Sequence, residues 1–111
     1  MLPNEPQIRI HARDGDCVVE IVTDSLMHEE APHIARYLLN RIAEEAEPGQ
    51  RVVFDFSRVV HMNSNAVSVL LIAKKALEDE GRALALRGVS PTIHELFRFM
   101  CLDKAFTFID A

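Results

Sequence analysis

One stretch of the chain, residues 51–71, constrains the fold more than any other. It begins with an apolar run, Val52–Phe54, which is followed directly by an acid, Asp55. Such a run is typical of a central strand that is covered on both faces. Three helix-capping residues then occupy positions 63–65, immediately before an apolar helical pattern. The stretch therefore predicts a strand, a loop and a helix, an arrangement in which α/β proteins commonly place their functional residues.

The rest of the chain predicts further elements around this unit. Alternating apolar residues indicate two strands joined by a hairpin turn at 13–16, and apolar stripes indicate three helices. Ser90 and Pro91 are a helix N-cap and a first helical residue. The predicted strands are 8–12, 17–22, 51–56, 83–86 and 105–109, and the predicted helices lie at 31–46, 64–79 and after Ser90. The order β-β-α-β-α-β-α-β predicts a mixed α/β sheet of about five strands, with helices packed against it and right-handed crossovers.

Length and charge limit the classes of protein to which the chain can belong. Its 111 residues fit one domain, 1–111, with the two-proline segment 1–6 as a loose lead-in. A net charge of −5 without a basic cluster argues against nucleic acid as a partner. We expect a cytoplasmic protein without membrane insertion, since neither a signal peptide nor a long apolar run is evident. Cys17 and Cys101 are expected to be buried free thiols, with a disulfide left open.

No pattern typical of an enzyme or a metal site is evident. Ser64 has neither a nearby base nor a glycine elbow, which argues against a hydrolase. Asp55 lacks the acidic pair and the lysine that accompany a phosphorylated receiver aspartate, and we expect it to be structural. The sequence contains five histidines, His11, His28, His33, His61 and His94. No two of them are spaced at i and i+4, so no metal or cofactor is expected. These observations favour a binding protein over an enzyme.

Four motifs, in order, resemble those of STAS domains, the family of anti-sigma-factor antagonists. Family members read approximately Val-Val-Asp, then Asp-Ser-Ser/Thr-Gly at the start of an apolar helix, then Gly-Val-Ser-Pro, and finally Gly-Leu-Asp before the last strand. The corresponding segments here are Val52-Val53-Phe54-Asp55, Asn63-Ser64-Asn65-Ala66, Gly88-Val89-Ser90-Pro91 and Cys101-Leu102-Asp103. The resemblance spans nearly the whole chain. It implies the STAS fold and a function in regulation by protein–protein contact.

The resemblance also implies a phosphorylation switch, which this sequence does not preserve. In the family, a partner kinase phosphorylates the third residue of the Asp-Ser-Ser/Thr-Gly motif, and the unphosphorylated form binds that kinase and releases a sigma factor. Here the acceptor position holds Asn65, which has no hydroxyl, while Asn63 replaces the acid and Ala66 the glycine. A further family acid, before the first helix, falls on Met27. We therefore expect a constitutive binder or scaffold, with Ser64 the nearest substitute acceptor.

Taken alone, residues 63–65 are an ordinary helix cap, and His61 beside them is either a solvated loop residue or a pH-sensitive contact. With the resemblance, the partner is expected to be a histidine-kinase-like ATPase, an anti-sigma factor or switch kinase. Alternatives are regulation of an ABC transporter ATPase, scaffolding of a signalling assembly, or nucleotide or lipid binding; self-association is also open. The expected contact surface, extended along the helix towards Ile72 and Lys75, comprises His61, Met62, Asn63, Ser64, Asn65, Ala66, Val67 and Ser68.

Overall fold

The computed structural model describes residues 7–26 and 31–110, and the element bounds below refer to them. Five strands form one sheet in the order β1-β2-β4-β6-β7, in which β1 is antiparallel to β2 and all other neighbours are parallel. Two short strands, β3 and β5, pair separately. The predicted fold class is confirmed. The elements are β1 (Ile8–Arg13), β2 (Asp16–Ile21), β3 (Ser25–Leu26), α1 (Ala31–Glu45), β4 (Val52–Asp55), β5 (His61–Met62), α2 (Ser64–Asp79), β6 (Leu84–Arg87), α3 (Pro91–Phe99) and β7 (Thr107–Ile109).

The three helices lie on the same face of the sheet. Each parallel connection moves one strand further in the same direction, and right-handed crossovers then place every helix on one side. Buried residues of all three helices accordingly belong to one core, which they share with alternate strand residues such as Phe54 and Leu86. The prediction that Val52–Phe54 form a central strand covered on both faces is confirmed, since all three residues are fully buried in the middle strand of the sheet. A separate cluster on the opposite face consists of Val18, Val53 and Ala85, which are fully buried although no described helix covers them.

Charged side chains share this helix-free face with the small apolar cluster. Arg51 donates two hydrogen bonds to the Asp16 carboxylate, from Nε to Oδ1 at 3.0 Å and from Nη2 to Oδ2 at 2.6 Å. These bonds hold the pKa of Asp16 below its ordinary value, with a smaller contribution from the charge of Arg87. Arg87 follows Ala85 by two residues and is only 8% exposed, and its Nη1 has no hydrogen-bond partner. A buried N–H group without a hydrogen-bond partner is costly.

The ends of α2 and α3 have the same backbone geometry. After α2, Gly81 (φ +79°) donates its N–H to the carbonyl of Glu78, and Arg82 donates to that of Leu77. After α3, Cys101 (φ +60°) occupies the position that Gly81 has after α2, with equivalent bonds to the last turn. Both ends are Schellman motifs, whose left-handed residue is usually glycine. Cys101 is exposed, so the expectation of two buried thiols is wrong for this residue, and neither cysteine forms a disulfide.

Several element boundaries differ from those predicted. β6 ends at Arg87 and β7 begins at Thr107, so the first is shifted by one residue and the second is shorter than expected. Ala43, predicted on the inner stripe of α1, is exposed.

The Asp14-Gly15 hairpin turn has positive φ at both residues, as favoured for a two-residue loop. Within the described ranges, no helix is both long and apolar enough to cross a membrane. The predicted lead-in 1–6 and Met27 lie outside the described residues.

Candidate functional site

The candidate site is built on the loop that leaves the carboxyl end of β4. Asp55, the last residue of β4, accepts a hydrogen bond on Oδ1 from the backbone N–H of Ser57 at 2.8 Å, which turns the chain out of the sheet. Phe56 donates its N–H to the carbonyl of Arg87, and Val59 is buried in the core. Asp55 therefore has the structural role that we expected.

A short parallel pairing fixes the second half of this loop. The carbonyl of Asp24 accepts the N–H groups of Val60 and His61, at 2.7 and 3.1 Å. β3 and β5 then pair, with Ser25 opposite His61. This second, two-stranded sheet lies inside the predicted loop 57–62 and was not expected. It attaches the start of α2 to the segment that precedes α1, so the candidate site does not rest on an isolated loop.

Asn63 sets where α2 begins. Its backbone is extended (φ −115°, ψ 177°), and its Oδ1 accepts the N–H of Ala66 at 3.1 Å. This is the N-cap arrangement that satisfies one of the otherwise free donors at the start of a helix. Ser68 donates its hydroxyl to the carbonyl of Ser64 at 3.2 Å, within the same turn. The capping role predicted for segment 63–65 is confirmed for Asn63, and Ser64 is the first helical residue.

The structure separates the eight predicted contact residues into three groups. His61, Ser64 and Asn65 are exposed, and Met62, Asn63 and Ser68 are half-buried. Ala66 and Val67 face the core and are fully buried, because they follow the cap on the inner side of α2. They support the surface but cannot touch a partner in this arrangement. The accessible part of the candidate site is therefore His61–Asn65 and Ser68.

Sequence reasoning missed one accessible residue of this region. Val60 is 58% exposed directly before β5, in the predicted loop 57–62, and it was not among the expected contact residues. Its outward position follows from the pairing of Val60 with Asp24, which neither local composition nor periodicity reveals. The site accordingly combines an apolar side chain, Val60, with the polar side chains of His61, Ser64 and Asn65.

The comparison with protein-family models finds the STAS domain over residues 7–111. No curated protein sequence matches the chain. Among solved structures, the anti-sigma factor antagonist SpoIIAA in its unphosphorylated form is similar, with a TM-score of 0.70, 22% identity, and coverage of 95% of this chain and 88% of that chain.

Two further solved structures have the same fold. An anti-sigma-factor antagonist (STAS) domain protein from Planctomyces limnophilus gives a TM-score of 0.76 and 21% identity, with coverage of 94% of this chain and 89% of that chain. A chain of the stressosome, described as a signal integration and transduction hub, gives a TM-score of 0.70 and 24% identity, with coverage of 90% and 85%. At these identities the structural similarities establish the fold and no more.

Proposed function

The chain belongs to the STAS domain family, and we propose that it is a single-domain regulatory protein that binds a partner through the start of α2 and lacks the usual phosphorylation switch. One observation carries this proposal. Asn65 is exposed at the second position of α2, where STAS antagonists carry the phosphoacceptor hydroxyl. A carboxamide cannot be phosphorylated in that way and carries no charge. It therefore resembles the unphosphorylated side chain, which is the binding-competent one in the family.

The physical reason for a locked state lies in the charge of a phosphate. A phosphoserine carries nearly two negative charges, and these would disrupt a close contact made through the same residue. Asn65 removes that means of release. The Asp24 carbonyl and the β3–β5 pairing hold the site in place before any partner arrives. Because a preformed surface loses less conformational entropy on binding, this attachment favours a standing, constitutive interaction.

We propose a histidine-kinase-like ATPase, an anti-sigma factor or switch kinase, as the partner, with the interaction taking place in the cytoplasm. SpoIIAA has the same fold and is an anti-sigma factor antagonist, which supports this choice of partner. The protein itself is proposed to have no enzymatic activity, since its accessible site offers neutral amide and hydroxyl groups and the exposed His61.

Substitution of Asn65 tests the contact surface directly. Affinity for ATPases of this class from the source organism would be measured with the wild type, Asn65→Asp and Asn65→Arg. We expect Asn65→Asp to weaken binding a few-fold, and Asn65→Arg to weaken it by at least about 30-fold, as at a central interface residue. Asn40→Arg, at an exposed position of α1, is the matched control. Equal affinities for Asn65→Arg and Asn40→Arg would remove this loop from the interface.

Phosphorylation tests the loss of the switch separately. The wild type and Asn65→Ser would each be incubated with the bound ATPase and ATP, and the products would be mapped by mass spectrometry. We expect the wild type to stay unmodified and Asn65→Ser to gain one phosphate at residue 65. A phosphate on Ser64 or Ser68 of the wild type would show that the acceptor has moved and that the switch is intact.

A further inference from the structure

Phe99 is the most exposed large apolar residue in the described part of the chain. It ends α3 and is 86% exposed, compared with 58% for Val60 and 38% for Ile72. Single exposed apolar side chains are common on protein surfaces, but an aromatic ring this fully in water is a strong anchor for an interface. Phe99 lies outside the candidate site at the start of α2, and the proposed function leaves it unexplained.

The outer face of α2 carries a groove that is complementary to such an anchor. The groove has a volume of about 440 Å³, and its lining is formed by Leu71, Ile72, Lys75, Ala76 and Asp79. These residues repeat at intervals of three and four, so they share one face of the helix. Ile72, Leu71 and Ala76 make its surface mostly apolar, and Ala76 contributes only a methyl group. Lys75 and Asp79 bring opposite charges to the groove.

The charges beside Phe99 match those of the groove. Glu95 lies four residues before Phe99, on the same face of α3, and forms an ion pair of 2.7 Å with Arg98, the residue directly before Phe99. Lys75 and Asp79 face each other at 3.9 Å on α2. All four side chains are well exposed. Glu95 can therefore meet Lys75 across an interface, which favours one register of docking.

We infer that Phe99 of one copy of this protein docks into the α2 groove of a second copy. Phe99, here called the knob, and the α2 groove are different surfaces of one copy. Each docked pair therefore keeps one free knob and one free groove. Such head-to-tail contacts build open chains or closed rings rather than an isolated symmetric dimer. One aromatic anchor in a shallow groove buries little surface, and the association is accordingly weak and reversible. This inference does not depend on the proposed partner, because the groove contains neither Ser64 nor Asn65.

Charge substitutions on the two surfaces test this mode of association. Sedimentation velocity would be measured over a wide concentration range for the wild type, Phe99→Glu and Ile72→Glu, with Val60→Glu as the control at another exposed apolar residue. We expect the average mass of the wild type and of the control to rise with concentration, while each of the other two variants stays monomeric. Since Phe99 and Ile72 are both surface residues, circular dichroism should show that the variants remain folded.

A mixture of the two variants separates this mode from a symmetric one. Phe99→Glu retains its groove and Ile72→Glu retains its knob, so an equimolar mixture should form one-to-one dimers and nothing larger. A wild type that remains monomeric at millimolar concentration would overturn the inference. So would a mixture that stays monomeric while the wild type associates, because complementation is required of a head-to-tail contact.

Cross-linking gives a second readout suited to a weak complex. The exposed thiol of Cys101 lies two residues after Phe99, whereas Cys17 is buried. With a short bis-maleimide, Lys75→Cys should give a ladder of cross-linked species through contacts between residues 75 and 101. Lys104→Cys, which places the new thiol on the knob side instead, is the matched control and should give no ladder. A ladder in the control and not in Lys75→Cys would contradict the assigned groove.

Discussion

Replacement of Cys101 by glycine should stabilise the protein. Cys101 has φ +60° at the end of α3, in the left-handed region that side chains with a Cβ disfavour by about 1–2 kcal/mol. Glycine relieves this strain but gives the unfolded chain more freedom, which costs about 0.4–1 kcal/mol. The thiol is exposed, so its loss removes little packing. The net expected gain in the free energy of unfolding is about 0.5–1 kcal/mol.

The Schellman motif after α2 provides the converse control, in which glycine is replaced by a residue with a Cβ. Gly81 has φ +79° after α2, and a Cβ added there would meet no atom within 4 Å. Gly81→Ala therefore introduces backbone strain without a steric clash. We expect its free energy of unfolding to be about 1 kcal/mol lower than that of the wild type. Cys101→Ala keeps the Cβ and removes only the thiol, and its stability should stay within about 0.5 kcal/mol of the wild type.

Urea unfolding under reducing conditions, followed by circular dichroism, would measure these four proteins. We expect the highest urea midpoint for Cys101→Gly, a lower and shared midpoint for the wild type and Cys101→Ala, and the lowest for Gly81→Ala. The dependence of the free energy of unfolding on urea concentration should be the same in all four. If Cys101→Gly were no more stable than Cys101→Ala, the left-handed backbone at residue 101 would not be a source of strain. A neutral Gly81→Ala would refute the same reasoning from the opposite direction.

Three further predictions concern stability. Asn63→Ala should lower the free energy of unfolding by about 1 kcal/mol in urea, as should the matched cap variant Ser90→Ala, because each removes a bond to a free helical N–H. Arg87→Met should raise it by about 1 kcal/mol by removing a buried charged group whose Nη1 has no hydrogen-bond partner, whereas Arg87→Lys should not. The pKa of Asp16 is lowered in the folded protein, so its stabilising effect is complete above the ordinary value of 3.8 and is lost as the pH falls through the folded pKa. The difference in melting temperature between the wild type and Asp16→Asn should accordingly be present at neutral pH and shrink progressively as the pH falls below 3.8.

The elements that could be predicted from the sequence are those with a strong local signal. α2 has the predicted bounds because Asn63 caps its start and Gly81 ends it. The start of α3 follows from Ser90 and Pro91 in the same way. The pair β3–β5 has two residues in each strand and depends on a contact between segments far apart in sequence, so no local pattern could reveal it. The helix-free face also escaped prediction, since it follows from strand order.

The start of α2, on which the proposed site lies, was predictable in position, whereas its exposed surface was less so. The start of α2 could be located from the capping residues and the family motif, and Asn65 is indeed exposed there. The inward turn of Ala66 and Val67 follows from where the cap places the first helical residue, which fixes the rotation of the whole helix. The outward position of Val60 depends on the backbone of Asp24, and the exposure of Phe99 depends on the packing of α3. These features arise from tertiary structure and are not encoded in any one segment.

The two proposed contacts lie on one helix, and their spacing implies competition between them. Asn65 and Lys75 are ten residues apart on α2, which corresponds to about 15 Å at 1.5 Å per residue. A partner that buries a standard patch of about 800 Å² covers a surface roughly 30 Å across. Centred on Asn65, that patch extends to Lys75 and the groove. A copy whose groove is filled by Phe99 of its neighbour would therefore bind the partner less well. In the absence of a phosphorylation switch, the concentration of the protein would then determine how many copies are free to bind the partner.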